Sequence, residues 1–259
     1  MKTLIIFAKA PVLGFVKTRL LKNTPLNEGH VCALYEAFLK DTVTMSALTC
    51  ADVIAIHFTP AEEEKKIRKL VAGLKLGARN EKRFKFVPQG GETFSQRIIN
   101  TFETEKQKEG ELVMIGADSP LTLPATIDDA FDFIYSRSGV AVGPSGEGGF
   151  YLFGFPHDVS FDFNAIFANG SELENLVFAT QKLKLPLKTL KFGLDVDVEA
   201  DLVTLLGLVR CLEYSNKFES GLLPLHTGAV IKSLVMTARR TDGDTRLKKI
   251  SLSQEIGEA

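Results

Sequence analysis

Leu4-Ile5-Ile6-Phe7-Ala8-Lys9-Ala10-Pro11, followed by Gly14-Phe15-Val16-Lys17-Thr18-Arg19-Leu20, is the stretch on which the reading of the fold turns. Leu4 to Ala8 is an unbroken apolar run, the pattern of a strand buried on both faces. Lys9, Pro11 and Gly14 end it before Lys17 and Arg19 arrive. A short parallel strand that ends in such a loop puts backbone N–H groups and cationic side chains at the carboxyl edge of a sheet, where open α/β folds bind ligands. Lys9, Lys17 and Arg19 are therefore candidate phosphate contacts, Arg as a bidentate fork and Lys as a point charge. The plainer alternative is surface charge on a loop. A P-loop is excluded, because Gly14 stands three residues before Lys17-Thr18 and the G-x-x-x-x-G-K-[ST] spacing is absent.

Working outward, residues 27–48 read as a helix, with Val31, Leu34, Tyr35, Phe38, Leu39, Thr42 and Met45 recurring at three and four. A strand at 51–58, a charged helix at 61–71 and a strand at 83–87 follow, then a helix at 93–106 and a central strand at 111–116. Leu123-Pro124 opens a helix with Pro at a tolerated first-turn position. Beyond it lie a strand at 140–142, a glycine-rich segment, an apolar run at 150–155, a helix at 171–183 capped by Ser171 with Glu174 three residues on, and a strand at 187–190. Helices at 198–212 and 222–235 close the ordered part. Strands alternating with helices predict a mostly parallel central sheet covered on both faces and wound right-handed. One domain over 1–235 is expected, with a polar tail at 236–259 whose last ten or so residues fray.

At 259 residues with 45% apolar and 24% charged side chains, the chain can bury a substantial core in water. A net charge of −1 gives no reason to expect a nucleic-acid or membrane binder. The cysteines, Cys32, Cys50 and Cys211, are odd in number and far apart, which suits reduced thiols in a cytoplasm. The apolar run between Lys2 and Lys9 is six residues, below the ~7–15 of a signal-peptide core, and no run approaches a membrane span.

Carboxylates carry the chemistry. Asp118 follows the central strand between Gly116 and Pro120, and one Asp at a strand tip can begin a Mg²⁺ site completed by substrate phosphates. It could equally turn the chain or cap the next helix; the residues alone leave both open. In an extended segment Asp195 and Asp197 share a face and could complete a metal site, while a helix starting at Val198 would make Asp197 its N-cap. The glycine segment from Gly143 to Gly149 lacks dinucleotide spacing and reads locally as a hairpin.

Taken together, these motifs resemble the nucleotide-diphospho-sugar transferase superfamily, and within it the radical-SAM/selenodomain-associated transferase family, a DUF2064-like group of glycosyltransferases. The match runs through Phe7 to Pro11, Gly14 and Val16 to Leu20; the strand-G-x-D-x-P around Asp118; Gly143-Pro144 with Gly148-Gly149-Phe150-Tyr151-Leu152-Phe153-Gly154; and Asp195, Asp197, Asp201 and Leu202 in a D-x-D-x-x-x-D-L. The chain departs from the family pattern at Val12 and Phe15, where basic residues are usual, at Glu147 in place of Asp, and through most of the segment around Arg97. The resemblance implies a GT-A-like three-layer α/β fold. It implies a nucleotide or phosphate site from Ala8, Lys9, Pro11, Gly14, Lys17, Arg19 and Arg97, a metal held by Asp118 with Asp195 or Asp197, and a sugar or acceptor segment at Gly148, Gly149 and Tyr151. Asp118, Lys17 and Glu147 are the catalytic candidates. The activity implied is Mg²⁺- or Mn²⁺-dependent transfer from a nucleotide-sugar to a small-molecule acceptor. Alternatives are nucleotidyl transfer from an NTP, as in phospholactate guanylyltransferases or molybdopterin nucleotidyltransferases, and a non-catalytic nucleotide-binding protein.

Overall fold

A computed structural model describes residues 1–106, 109–241 and 244–252. In chain order its elements are β1 (Lys2–Lys9), α1 (Glu28–Ser46), β2 (Val53–Thr59), α2 (Glu64–Gly73), α3 (Ala78–Glu81), β3 (Phe84–Pro88), α4 (Phe94–Glu105), β4 (Glu111–Gly116), α5 (Pro124–Arg137), β5 (Val140–Pro144), β6 (Phe150–Pro156), α6 (Phe163–Ile166), α7 (Glu172–Lys182), β7 (Leu187–Thr189), α8 (Glu199–Ser215), α9 (Leu225–Ser233), β8 (Met236–Thr241) and β9 (Asp244–Leu252). The chain divides into two compact units, the first made of Met1–Ala10, Val43–Ala117 and Thr122–Gly193, the second of Pro11–Thr42, Asp118–Leu121 and Leu194–Ala259.

In the first unit, among the described residues, seven strands form one sheet in the order β3-β2-β1-β4-β6-β5-β7. β1 lies parallel to β2 and β4, β2 to β3, and β5 to β7, whereas β6 runs antiparallel to both its neighbours. The reversal at β6 has a simple cause. The five residues 145–149 cannot make a parallel crossover, which needs about a dozen, so the chain returns as a hairpin. The strand order reverses at the β1/β4 pair, where Phe7 stands opposite Gly116, the last residue of β4, and β1 runs on two residues further to Lys9. Open α/β sheets bind ligands at the carboxyl end of such a reversal.

The core of this unit is aromatic: Phe102, Phe153, Phe155 and Phe163 pack with Ile5, Leu112, Met114 and Val142, and the rings of Phe102 and Phe163 stack 5.0 Å apart. Helix starts follow local chemistry. Pro124 occupies the first turn of α5, Ser171 accepts from the Glu174 N–H ahead of α7, and Thr93 and Gln96 form a reciprocal capping box ahead of α4. Glu105 on α4 is buried with His57 of β2, 2.9 Å away, and also pairs with Lys85 of β3, so no charge is left uncompensated there.

In the second unit α8 buries Leu202, Leu205, Leu206 and Val209, one helical stripe, and packs on β8 and β9, while α9 packs on β8. Asp41 of α1 accepts from the N–H groups of His226 (3.0 Å) and Thr227 (2.8 Å), so a buried carboxylate caps the first turn of α9. The segment expected as a polar tail is in part an antiparallel hairpin. Its composition is polar, but Met236 and Ile250 lie on the face turned to α8 and are buried, while Arg239, Arg240, Lys248 and Lys249 stay exposed. The Ile250 N–H donates to Glu199 Oε1 (2.8 Å) and Arg210 donates to the Met236 carbonyl (2.9 Å), which ties both strands to α8. The expected fraying of the last residues falls mostly outside the described residues. No helix among the described residues is long and apolar enough to cross a membrane.

Candidate metal and phosphate site

Two loops and one extended segment of the second unit bring their acidic and basic side chains together. Asp118 comes two residues after β4. Seventy-seven positions later Asp195-Val196-Asp197 runs alongside it, pinned by a hydrogen bond from the Val196 N–H to the Asp118 carbonyl (3.1 Å). Because side chains alternate in an extended segment, burying Val196 turns Asp195 and Asp197 to the other side, toward Asp118. Oxygens of the three carboxylates lie within 4.8 Å of one another.

Helix α8 begins at Glu199, one residue later than the sequence reading has it, and of the two roles left open for Asp197 this removes the capping one. Val198 holds the cap position and its side chain has no acceptor to offer. The Asp201 carboxylate instead reaches back and accepts from the N–H groups of Asp197 and Val198, each at 2.9 Å. Asp197 is thereby released from capping and its carboxylate is left for the cluster. Asp201 is a residue that the site assignment missed, although an acidic side chain in the first turn that reaches back to the cap is a legible signal.

Lys17 enters this cluster from the loop after β1. Its side chain is 6% exposed, with Nζ 2.6 Å from Asp118 Oδ2, 2.6 Å from Asp197 Oδ1 and 3.9 Å from Asp195 Oδ1. Arg19 is 65% exposed and stands 3.8 Å from Asp197 Oδ2. Gly14 turns the same loop at a φ of 71°, a conformation suited to glycine, and Pro11 is buried at its base.

Charge is shared unequally within the cluster. Burial alone would raise the pKa of Asp118, but the Lys17 ammonium overrides it and holds the carboxyl below its ordinary value. Burial would likewise lower Lys17, and the three carboxylates raise it instead. Lys17 stands farther from Asp195, at 3.9 Å, and its lowering effect is outweighed by burial and then by the neighbouring Asp118 charge, which push the Asp195 carboxyl up to about 8. Its Oδ1 is buried without a hydrogen-bond partner. An all-carboxylate oxygen set with one unsatisfied buried acceptor fits a hard divalent cation.

The other predicted residues lie in the first unit. Ala8 is buried in β1, and Lys9 is exposed at its end. Arg97 donates to the Glu92 carbonyl, at 3.5 Å, and among the described residues its Nε is buried without a hydrogen-bond partner. Glu147 is exposed in a turn at φ 55°, next to Gly148 at φ 75° and Gly149. A Cβ at Gly148 would stand 2.8 Å from Ser171 Oγ, whose hydroxyl donates to the Gly148 carbonyl (2.9 Å). Tyr151 is 6% exposed, its ring packed against Gly143 and Gly193 and its hydroxyl donating to the Lys191 carbonyl (3.1 Å). Burial pushes that phenol up to about 12.

The mostly parallel sheet with one antiparallel strand inserted beside β4 is the nucleotide-diphospho-sugar transferase-like α/β fold. A solved structure from Desulfovibrio desulfuricans G20, described as a nucleotide-diphospho-sugar transferase, shares it at a TM-score of 0.71 and 24% identity, over 90% of this chain and 95% of that one. A cytidylyltransferase from Leptospira borgpetersenii serovar Hardjo-bovis (strain JB197) shares it at a TM-score of 0.52 and 13% identity, over 90% of this chain and 94% of that one. Residues 42–169 match the family described as "Uncharacterized protein conserved in bacteria (DUF2064)", so the resemblance read from the motifs holds for a segment that contains Asp118 and the glycine turn. No curated protein matches the chain.

Proposed function

We propose that the protein is a divalent-metal-dependent transferase that takes a nucleotide-sugar as donor and passes the glycosyl group to a small acceptor. The observation that carries this reading is the convergence of Asp118, Asp195 and Asp197 on Lys17, from segments far apart in the chain. Asp118, Asp195 and Asp197 would hold Mg²⁺ or Mn²⁺, which when bound supplies Lewis-acid charge to a diphosphate leaving group. Arg19, exposed beside Asp197, offers a fork to a phosphate, and the Gly14 turn lets the backbone approach it. Glu147 is the candidate base for an acceptor hydroxyl, and Gly148 and Gly149 are the candidate acceptor segment. Tyr151, its ring against Gly143 and Gly193, is the remaining candidate of that segment. A cytoplasmic setting accords with the three free cysteines.

A second reading, nucleotidyl transfer, draws support from the fold likeness to the cytidylyltransferase. The same carboxylates and cations would then face an α-phosphate under in-line attack. Titrating the purified protein with nucleotide-sugars and NTPs, with and without Mn²⁺, tests the family of readings. Metal-dependent binding that Asp118→Asn abolishes is the expected result. Pyrophosphate release from an NTP would favour nucleotidyl transfer. Binding of no nucleotide in the presence of metal would refute both, and nucleotide binding indifferent to metal and to Asp118→Asn would favour a non-catalytic protein.

A further inference from the structure

We infer that Lys17 is the resident cation of the Asp118/Asp195/Asp197 cluster and sets the order of loading: the divalent ion binds tightly only once a polyphosphate has drawn the ammonium out. The inference rests on the metal reading above and adds to it a competitor built into the chain.

The geometry is one of shared contacts. Nζ takes Asp118 Oδ2 and Asp197 Oδ1 at 2.6 Å each, and both carboxylates belong to the trio whose oxygens lie within 4.8 Å. Mg²⁺ approaches its oxygens to ~2.0–2.1 Å, so an ion using those two atoms would press against the ammonium. Two cations sharing one pair of oxygens, with the lysine side chain itself 6% exposed, repel each other. Metal and ammonium are therefore alternative occupants.

The lysine can also leave. A four-carbon stem carrying a compact charge is able to swing without moving the backbone, unlike the guanidinium fork. At Lys17 the backbone is itself unusual, at φ 46° and ψ 38° just ahead of the 3-10 turn Thr18–Leu21, a left-handed setting that non-glycine residues seldom adopt. Arg19, two residues on and 65% exposed, stays outside the cluster, where it can meet a phosphate first. Once phosphate oxygens stand beside the loop, Lys17 has an anionic partner outside the carboxylates, and the vacated oxygens accept metal. Metal and polyphosphate then bind with positive coupling, and each must tighten the other by the same factor.

The test measures binding and not turnover. Mn²⁺ affinity is determined by equilibrium dialysis for the full chain and for Lys17→Met, each alone and with saturating UDP or GDP. Removing a positive charge from a metal site should raise Mn²⁺ affinity in the absence of nucleotide by at least about tenfold, and should abolish the gain that nucleotide gives the unmodified protein. Equal or weaker Mn²⁺ binding by Lys17→Met, with nucleotide-dependent binding intact in the unmodified protein, overturns this inference alone. Absence of Mn²⁺ binding by either protein under every condition overturns the metal reading and this inference with it. A measurement on the unmodified protein guards against a misfolded variant: amine acylation at Lys17, read by mass spectrometry, should be slow in the free protein and accelerate at saturating Mg²⁺. Protection that persists with Mg²⁺ bound refutes the exchange.

Discussion

Asp201→Ala removes the one acceptor that satisfies the N–H groups of Asp197 and Val198, both at 2.9 Å. A hydrogen bond to a charged group contributes ~1.5–3 kcal/mol net, and because these N–H groups are only part-buried the lower end applies to each. The loss should therefore be roughly 2–4 kcal/mol, or about 4–16 °C in Tm for a domain of this size. Asp201→Asn keeps one neutral acceptor and should cost about 1–2 kcal/mol. A functional effect accompanies the structural one. With its N–H unpaired, Asp197 is no longer held against Asp118, and loss of a supporting partner of this kind lowers metal affinity ~10–100-fold. Thermal melts followed by circular dichroism, with Mn²⁺ titrations on the same samples, read both. Should Asp201→Ala melt within about 1 °C of the unmodified protein and bind Mn²⁺ as tightly, the argument that Asp201 frees and positions Asp197 would be wrong.

Three further outcomes are expected. Asp41→Ala leaves the N–H groups of His226 and Thr227 without their acceptor, and α9 should lose ~2–4 kcal/mol of docking, measurable by denaturant unfolding or by faster amide exchange confined to α9. At Glu105, burial alone would raise the pKa, but the bonds to His57 and Lys85 hold it below its ordinary value. Its contribution to stability is therefore complete above the unfolded value of ~4.3 and is lost as pH falls through the lower folded one, so Glu105→Gln should flatten the acid limb of a stability–pH curve. Gly193→Ala places a Cβ 2.4 Å from the Tyr151 ring and should destabilise by ~1–3 kcal/mol, with Tyr151→Leu in the same chain restoring part of the loss.

Much of this protein is written locally. The apolar run at the head of β1, the 3-4 spacing along α1, Pro124 in the first turn of α5 and Ser171 before α7 all act within a few residues, so their elements stand where the sequence puts them. The identities of the acidic residues at the strand ends were equally legible, as were the five residues between β5 and β6 that force a hairpin. Other features answer only to contacts across long separations. Lys17 reads as a loop cation until Asp118, 101 positions away, and Asp197, 180 away, are brought to its Nζ. Asp197 reads as either a metal ligand or a cap until Asp201 reaches back to its N–H. The polar composition of β8 and β9 hides a hairpin that exists because α8 offers Met236 and Ile250 an apolar face. Periodicity encodes which side of an element is buried; the partner that neutralises a charge or covers a face is supplied by chain remote in sequence, and only tertiary structure brings it there.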